Sequence, residues 1–322
     1  MTALTPNLGG SPSAGGIGGV ASYLYRKLSS IPLWAIVVVW TLPSLSLFVN
    51  SFRGRDAQRN DAFWNVLSER DVTIENYESV LTASATNNLT DSVVTSFAIA
   101  VPATIIPIAF AMFAAYGFAW IDFKGKKWLF IATVSLLAVP LQVALIPLLQ
   151  LFGDGDPFGG AHLTMPFTDK TVTVLPVNNL LGSPTAVWLT HTGFAMPFAI
   201  FLLHNYIVQL PKELFESAQI DGANHFSAFW RLVVPLSIPA LASFAIFQFL
   251  WTWNDYLVAN TMLGFAGDAP TTVFIANLAG DFDNTDHLLT SAAFVQAFFP
   301  IVVFFSLQKY FVSGILAGSV KG

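Results

Sequence analysis

The chain has 322 residues, 54% of them hydrophobic and 10% charged, with a mean hydropathy of +0.63. Soluble domains carry charge on nearer a quarter of their residues, so this composition describes a polytopic membrane protein. The net charge of −5 and a pI near 5.4 exclude a nucleic-acid-binding surface, which needs clustered Lys and Arg, and the absence of cysteine excludes disulfides, thiol catalysis and Cys-based metal sites.

Residues 1–28 are rich in Gly, Ser, Pro and Ala, with Arg26 and Lys27 as their only charges, and are expected to form a disordered cytoplasmic tail. A cleaved signal peptide would place its basic residues before its apolar core, the reverse of the order here. The remainder, 29–322, reads as one transmembrane domain. Span one, 31–49, is uncharged and matches the roughly 20 residues that a bilayer core requires. The polar stretch 50–88, with Arg53, Arg55, Arg59, Trp64 and the run TIENY at 73–77, is expected to fold into short interfacial helices and turns. Span two, 92–120, contains Pro102 and Pro107. Prolines are tolerated within lipid when neighbouring helices pair the freed carbonyls, so these two mark kinks, moving or static. A basic turn at 122–127 leads to span three, 128–152. The loop 153–183 carries TVTV at 171–174, a candidate strand, and loops of this length are functional or disordered.

Span four, 184–207, carries His191, Pro197, His204 and Asn205 and delivers the chain to PKELFESAQIDGANHFSAFWRLVVPLSIP, residues 211–239. Proline is tolerated in the first turn of a helix, where its missing N–H has no partner to lose, so Pro211 marks a helix start. Asp221-Gly222 marks its stop, and helical spacing resumes from His225 to Pro235. The spacing predicts two short helices with a bend between them. Leu214, Phe215, Ala218, Phe226 and Phe229 would face apolar surroundings, and Glu213, Glu216, Gln219 and Asp221 would project outward. Span five, 232–251, runs into WTWNDY at 251–256; an outer segment, 259–287, precedes span six, 289–312. The expected fold is an all-α membrane bundle of six transmembrane helices.

With the N-terminus inside, the inner segments hold Arg26, Lys27, Lys124, Lys126, Lys127, Lys212, Arg231, Lys309 and Lys321 against the acids Asp122, Glu213, Glu216 and Asp221. Lys and Arg near span ends set topology, so this asymmetry places both termini in the cytoplasm of a cell-membrane protein, although Arg53 and Arg55 fall on the opposite side.

The run Glu216-Ser217-Ala218, with Gly222 four positions after Ala218 and Pro235 after a further spacer, resembles the EAA loop of ABC importer permeases. The sequence departs from that pattern at Ser217, where a second alanine is usual, and at Leu232 and Val234, where isoleucine and leucine are usual. The WNDY run and the C-terminal stretch 307–322 resemble the sugar-importing, maltose-type branch. The resemblance implies a type I importer permease fold. It also implies that 211–239 is a coupling element docking on a separate ATPase through Glu216, Ser217, Ala218, Asp221, Gly222 and Ala223. The implied partners are a second homologous permease, an ATPase dimer carrying the ATP and Mg, an extracytoplasmic substrate-binding protein and the sugar itself. Alpha-linked di- or oligosaccharides are the implied substrate class, and 153–183 is an insertion relative to the family. Without the resemblance, 211–239 reads as an amphipathic interfacial helix pair.

The span centres are free of Asp, Glu, Lys and Arg, whereas a secondary carrier usually needs an intramembrane coupling residue. The sequence has no G-x-x-x-x-G-K-[ST] loop, so any ATP hydrolysis belongs to a partner and this chain itself binds no cofactor. Neutral hydroxyls suit uncharged polar groups, and the C–H face of a pyranose suits aromatic rings. The candidate substrate path is therefore Gln248, Trp251, Asn254, Tyr256 and Gln296. Interfacial anchoring explains Trp251, Trp253 and Tyr256 equally well, and helix packing explains Gln248 and Gln296. His191 and His204 lack the spacing and acidic company of a metal site, and no nucleophile elbow is present, so neither metal nor catalytic residues are expected. Two other classes remain: a secondary carrier with unrecognised coupling residues, and a membrane scaffold that transports nothing.

Overall fold

The computed structural model describes residues 17–82, 88–153, 161–164, 171–175, 180–264, 269–280 and 282–319. The first helix, α1 (Ile17–Ser51), begins within the segment expected to be a disordered tail; residues 1–16 lie outside the described residues. VASYLYRKL, at 20–28, has enough helix formers to extend the apolar run by several turns. The polar stretch folds as expected into short helices, α2 (Arg55–Asn60), α3 (Val66–Glu69) and α4 (Glu75–Thr82). Span two is α5 (Leu89–Trp120), capped at its start by the Asn88 side chain, which accepts the Asp91 N–H at 2.7 Å.

Span three is not continuous. It consists of α6 (Lys126–Ser135) with a 3-10 extension to Ala138, and α7 (Leu141–Phe152), bent by 100° at Pro140. Proline donates no N–H and disfavours helical dihedrals at the residue before it, so the apolar run stays unbroken while the helix does not. Within the insertion, β1 (Ala161–Thr164) pairs antiparallel with β2 (Thr171–Leu175), the strand expected from TVTV; the stretches around this hairpin lie outside the described residues.

Then follow α8 (Pro184–Ile207), the stretch 211–239 with α9 (Lys212–Ile220), α10 (His225–Ala228) and α11 (Val234–Leu236), and span five, α12 (Ile238–Trp253). Span five starts later than expected, after a 68° bend at Ser237 between Pro235 and Pro239. The segment after it contains α13 (Leu257–Leu263) and α14 (Thr271–Gly280), and span six lies within α15 (Phe282–Ser319). Four helical stretches, Ser30–Ser51, Leu89–Trp120, Pro184–Ile207 and His287–Tyr310, are long and apolar enough to cross a bilayer unaided. The two bent pairs bring the spans to six, the number expected from hydropathy.

The most extensive helix pairing is α5 against α8. Alanines at the contact, Ala111 and Ala115 on α5 and Ala195 and Ala199 on α8, are essentially inaccessible, and such small residues let backbones approach where lipid offers no hydrophobic drive to pack. After α1 the fully buried Arg53 donates through Nη1, at 3.3 Å, to the Asn50 side chain and the carbonyls of Asp61 and Ala62. Asn76 in turn donates to the carbonyls of Ser51 and Arg53. Arg53 thus ties the end of α1 to the turn that follows α2.

Inside the bundle, α12 completes the hydrogen bonding of two proline-containing neighbours. Pro107 has no N–H for the carbonyl four residues earlier, Ala103, and Gln248 on α12 donates to that carbonyl at 3.2 Å. Pro300 likewise frees the carbonyl of Gln296, and the indole N–H of Trp253, also on α12, donates to it at 3.1 Å. A buried acceptor left without a donor in lipid is unfavourable, so these side chains make both prolines tolerable. Replacing Gln248 with Leu is expected to destabilise the detergent-solubilised protein by about 1 kcal/mol in thermal unfolding. Adding Pro107→Ala, which restores an N–H for Ala103, should recover part of that loss, giving a double-variant cost below the sum of the singles.

Candidate functional site

Residues 211–239 follow the course expected from their sequence. Pro211 precedes α9, and α9 ends with two bonds, Ala223 N–H to the Ala218 carbonyl at 2.9 Å and Gly222 N–H to the Gln219 carbonyl at 3.0 Å. That pair is a Schellman closure, with Gly222 in the left-handed conformation at φ +80°, and it accounts for Ala218, Gly222 and Ala223 as one local unit. The next helix starts where Asn224 accepts the Ser227 N–H at 2.9 Å. It then relaxes into a π-helical stretch, Phe229–Val233, ahead of Pro235.

Two buried rings fasten this segment to α5. Phe215 stacks on Trp120 with centroids 3.8 Å apart and rings 24° from parallel. Phe229 stacks on Phe113 at 4.6 Å and 18° and meets Tyr116 edge-on, while the Tyr116 hydroxyl lies 2.9 Å from His225 Nδ1. Phe113, Tyr116 and Trp120 occur at helical spacing on the C-terminal third of span two; that period is the available signal, but within an almost wholly apolar span it does not stand out from core packing.

The exposed face differs from the expected one. Phe215 and Phe229 are buried and Ala218 half-buried, but Leu214 and Phe226, expected to face apolar surroundings, are exposed, the latter to 68%. Ile220 is 86% exposed. Glu213, Glu216, Gln219 and Asp221 are exposed as expected, so the segment presents apolar side chains as well as carboxylates at its surface. Ser217 is exposed too, its hydroxyl donating to the Leu214 carbonyl at 3.1 Å. The pattern signalled that Leu214 and Phe226 are apolar, and this chain alone does not cover them.

The residues proposed for a substrate path are not all placed alike. Gln248 is buried and its amide donates to Ala103 and, at 3.3 Å, to the Thr252 hydroxyl, so in this structure it serves packing. Trp251, Asn254 and Tyr256 are exposed at the outer end of α12, with Asn254 bonded back to the Leu250 carbonyl, and Gln296 is half-buried on α15. The intervening Asp255 organises the turn. Its carboxylate accepts the Ala259 N–H at 3.0 Å and lies 3.4 Å from His191 Nε2, and its carbonyl accepts the Thr272 hydroxyl at 2.8 Å. Among the described residues no three His, Asp or Glu side chains come together as metal ligands.

Phe215→Ala removes the ring that anchors α9, a loss of about 3 kcal/mol for a buried aromatic. The amides of 212–220 are then expected to exchange with deuterium about a hundredfold faster, with α5 exchange unchanged, by hydrogen-exchange mass spectrometry.

Comparison with known proteins agrees with this architecture. Residues 107–316 match the family of "binding-protein-dependent transport system inner membrane component" proteins. The chain is 46% identical over 90% of its length to the osmoprotective compounds uptake permease protein GgtD of Synechocystis, covering 91% of that protein. It is also 46% identical over 78% of its length to the alpha-glucoside transport system permease protein AglG of Rhizobium meliloti, covering 60% of that longer chain. In fold it resembles a subunit of a bacterial ABC transporter that imports the acidic polysaccharide alginate, with a TM-score of 0.67 at 17% identity over 90% of this chain and 98% of that one. A related structure holds that transporter in complex with an alginate-pentasaccharide-bound periplasmic protein. A match that runs from the second span through residues 211–239 into the last helix places the chain in one family: it is a binding-protein-dependent transport system inner membrane component, a multi-pass permease subunit of the ABC importer class.

Proposed function

We propose that the chain forms half of the translocation pore of an ATP-driven importer for neutral alpha-linked glycosides, di- or oligosaccharides, with both termini cytoplasmic. A second, homologous permease supplies the other half, and an ATPase dimer docks on residues 211–239 and carries the ATP and Mg. An extracytoplasmic binding protein delivers the sugar to the outer segments. The observation that carries the reading is a short helical element stacked onto α5 that leaves Leu214, Ile220 and Phe226 exposed together with Glu213, Glu216 and Asp221. A surface of this kind suits burial in a cleft with basic residues at its edge, where charge pairs fix the register. The names of the relatives that transport alpha-glucosides and osmoprotective compounds support the substrate class.

In this mechanism, closure of the ATPase dimer moves α9. The Trp120–Phe215 and Phe113–Phe229 stacks pass that displacement to α5, and the bend at Ser237 allows α12 to reorient relative to the coupling segment. Only a discrete rearrangement can answer such a push, because packed helices shift between arrangements rather than deform continuously. Trp251, Asn254 and Tyr256 then line the outer part of the path, with Gln296 beside it and Gln248 holding the helices that form it. The start of α1 lies on the cytoplasmic side, and the β1–β2 hairpin stands on the extracytoplasmic side.

The test is co-purification with an ATPase together with sugar uptake, comparing the native chain and Glu216→Lys. Charge reversal should reduce ATPase recovery at least tenfold and abolish uptake, while the permease itself still inserts and purifies. A native chain that elutes without an ATPase and still transports would assign it to the secondary carriers.

A further inference from the structure

The turn 122–127, DFKGKK, carries three lysines against one carboxylate. Gly125, at φ +84°, turns the chain into α6, so that Lys126 and Lys127 stand on its first turn. Beside them is a cavity of about 470 Å³ between the ends of α5 and α8 and the start of α6. Its walls are apolar: Phe118 packs edge-on against Phe130 at 5.3 Å, Phe123 lies beyond it, and Phe130 meets the His204 ring at 4.3 Å. His204 Nδ1 is buried in this wall with no hydrogen-bond partner. Lys126 is partly buried, and its carboxylate neighbour Asp122, 3.5 Å away, is fully exposed, so water screens that pair and leaves most of the positive field at the cavity mouth.

Trp128, 73% exposed, lines the same cavity, and the α6 surface beyond it is exposed and apolar at Leu129 and Ile131. Exposed tryptophan next to lysine is the signature of the membrane–water boundary. A soluble anion would gain from the ammonium groups but would be placed against four aromatic walls. An amphiphile with one anionic phosphodiester and acyl chains satisfies both halves of the site. Basic pockets between spans on the cytoplasmic side are where such headgroups are held.

From this pairing of ammonium groups with an aromatic cavity at the membrane boundary, we infer that the cavity beside Lys126, Lys127 and Trp128 binds one anionic phospholipid of the inner leaflet. Its phosphate sits at the two lysines and its chains run down the outer face of α6. The inference rests on the orientation given under Proposed function.

The experiment titrates the native detergent-solubilised protein with phosphatidylglycerol and with phosphatidylcholine and reads bound lipid by native mass spectrometry. One phosphatidylglycerol should bind at least tenfold more tightly than phosphatidylcholine. Lys126→Gln with Lys127→Gln should erase that preference without changing phosphatidylcholine binding, and Lys126→Arg with Lys127→Arg should keep it. Equal binding of the two lipids, or a preference that survives the double glutamine variant, overturns the site. Displacement of the lipid by millimolar inorganic phosphate overturns the lipid assignment in favour of a soluble anion. Orientation is read separately, by labelling Lys124→Cys in this cysteine-free chain with an impermeant maleimide on intact cells. Protection until the membrane is opened supports the inner leaflet, and labelling from outside overturns both the orientation and the leaflet whatever the lipid titration gives.

Discussion

Inside a bilayer a backbone carbonyl that has lost its helical partner has no water to turn to, and the arrangement of this bundle follows from that constraint. Two of its helices, α5 and α15, contain prolines whose freed carbonyls, Ala103 and Gln296, would be stranded if each helix stood alone. Both are paired by donors from α12, Gln248 and Trp253. Helix α12 is therefore more than a neighbour of these spans: it supplies the hydrogen bonds that their prolines remove. The aromatic packing of Phe97, Phe249, Trp253 and Phe299 around the same contact gives the three helices a common core.

The region around residues 211–239 is held differently. There, stacked rings bind that segment to α5, and alanine contacts bind α5 to α8. Between the two regions the chain bends at Ser237, a buried residue whose hydroxyl has no partner among the described residues. Tyr206 on α8 reaches across to the adjacent Leu236 carbonyl at 3.0 Å, so the bend is braced rather than loose. Residues 211–239 are accordingly tied to α5 through stacked rings, and to α12 both through this braced corner and through α5, which α12 meets where Gln248 bonds the Ala103 carbonyl.

Most of this was legible in the chain where a feature is local. Pro211, Gly222 and the carboxylates between them fix a short helix and its stop because cap geometry depends on a few consecutive residues. Six apolar runs fix the spans because lipid penalises anything else over about 20 residues. The break at Pro140 was hidden because hydropathy passes through Val139, Pro140 and Leu141 without interruption while backbone geometry does not. Leu214 and Phe226 were misplaced because an apolar residue signals that it needs cover without saying which chain provides it. Gln248 was ambiguous for a related reason: an amide in a span suits a hydroxylated solute and a stranded carbonyl equally, and only the position of Ala103 separates the two.

The proline–donor pairs also bear on how such a sequence drifts. Pro107 with Gln248, and Pro300 with Trp253, are far apart along the chain but share a single acceptor each. A lineage that gives up either proline regains a helical N–H and is freed from keeping the donor, whereas one that gives up the donor first must cross a less stable intermediate. Substitution at these sites is thus ordered in time, proline before donor, and two homologous permeases with different kink positions would carry different polar residues on the helix equivalent to α12 for reasons unrelated to what they transport.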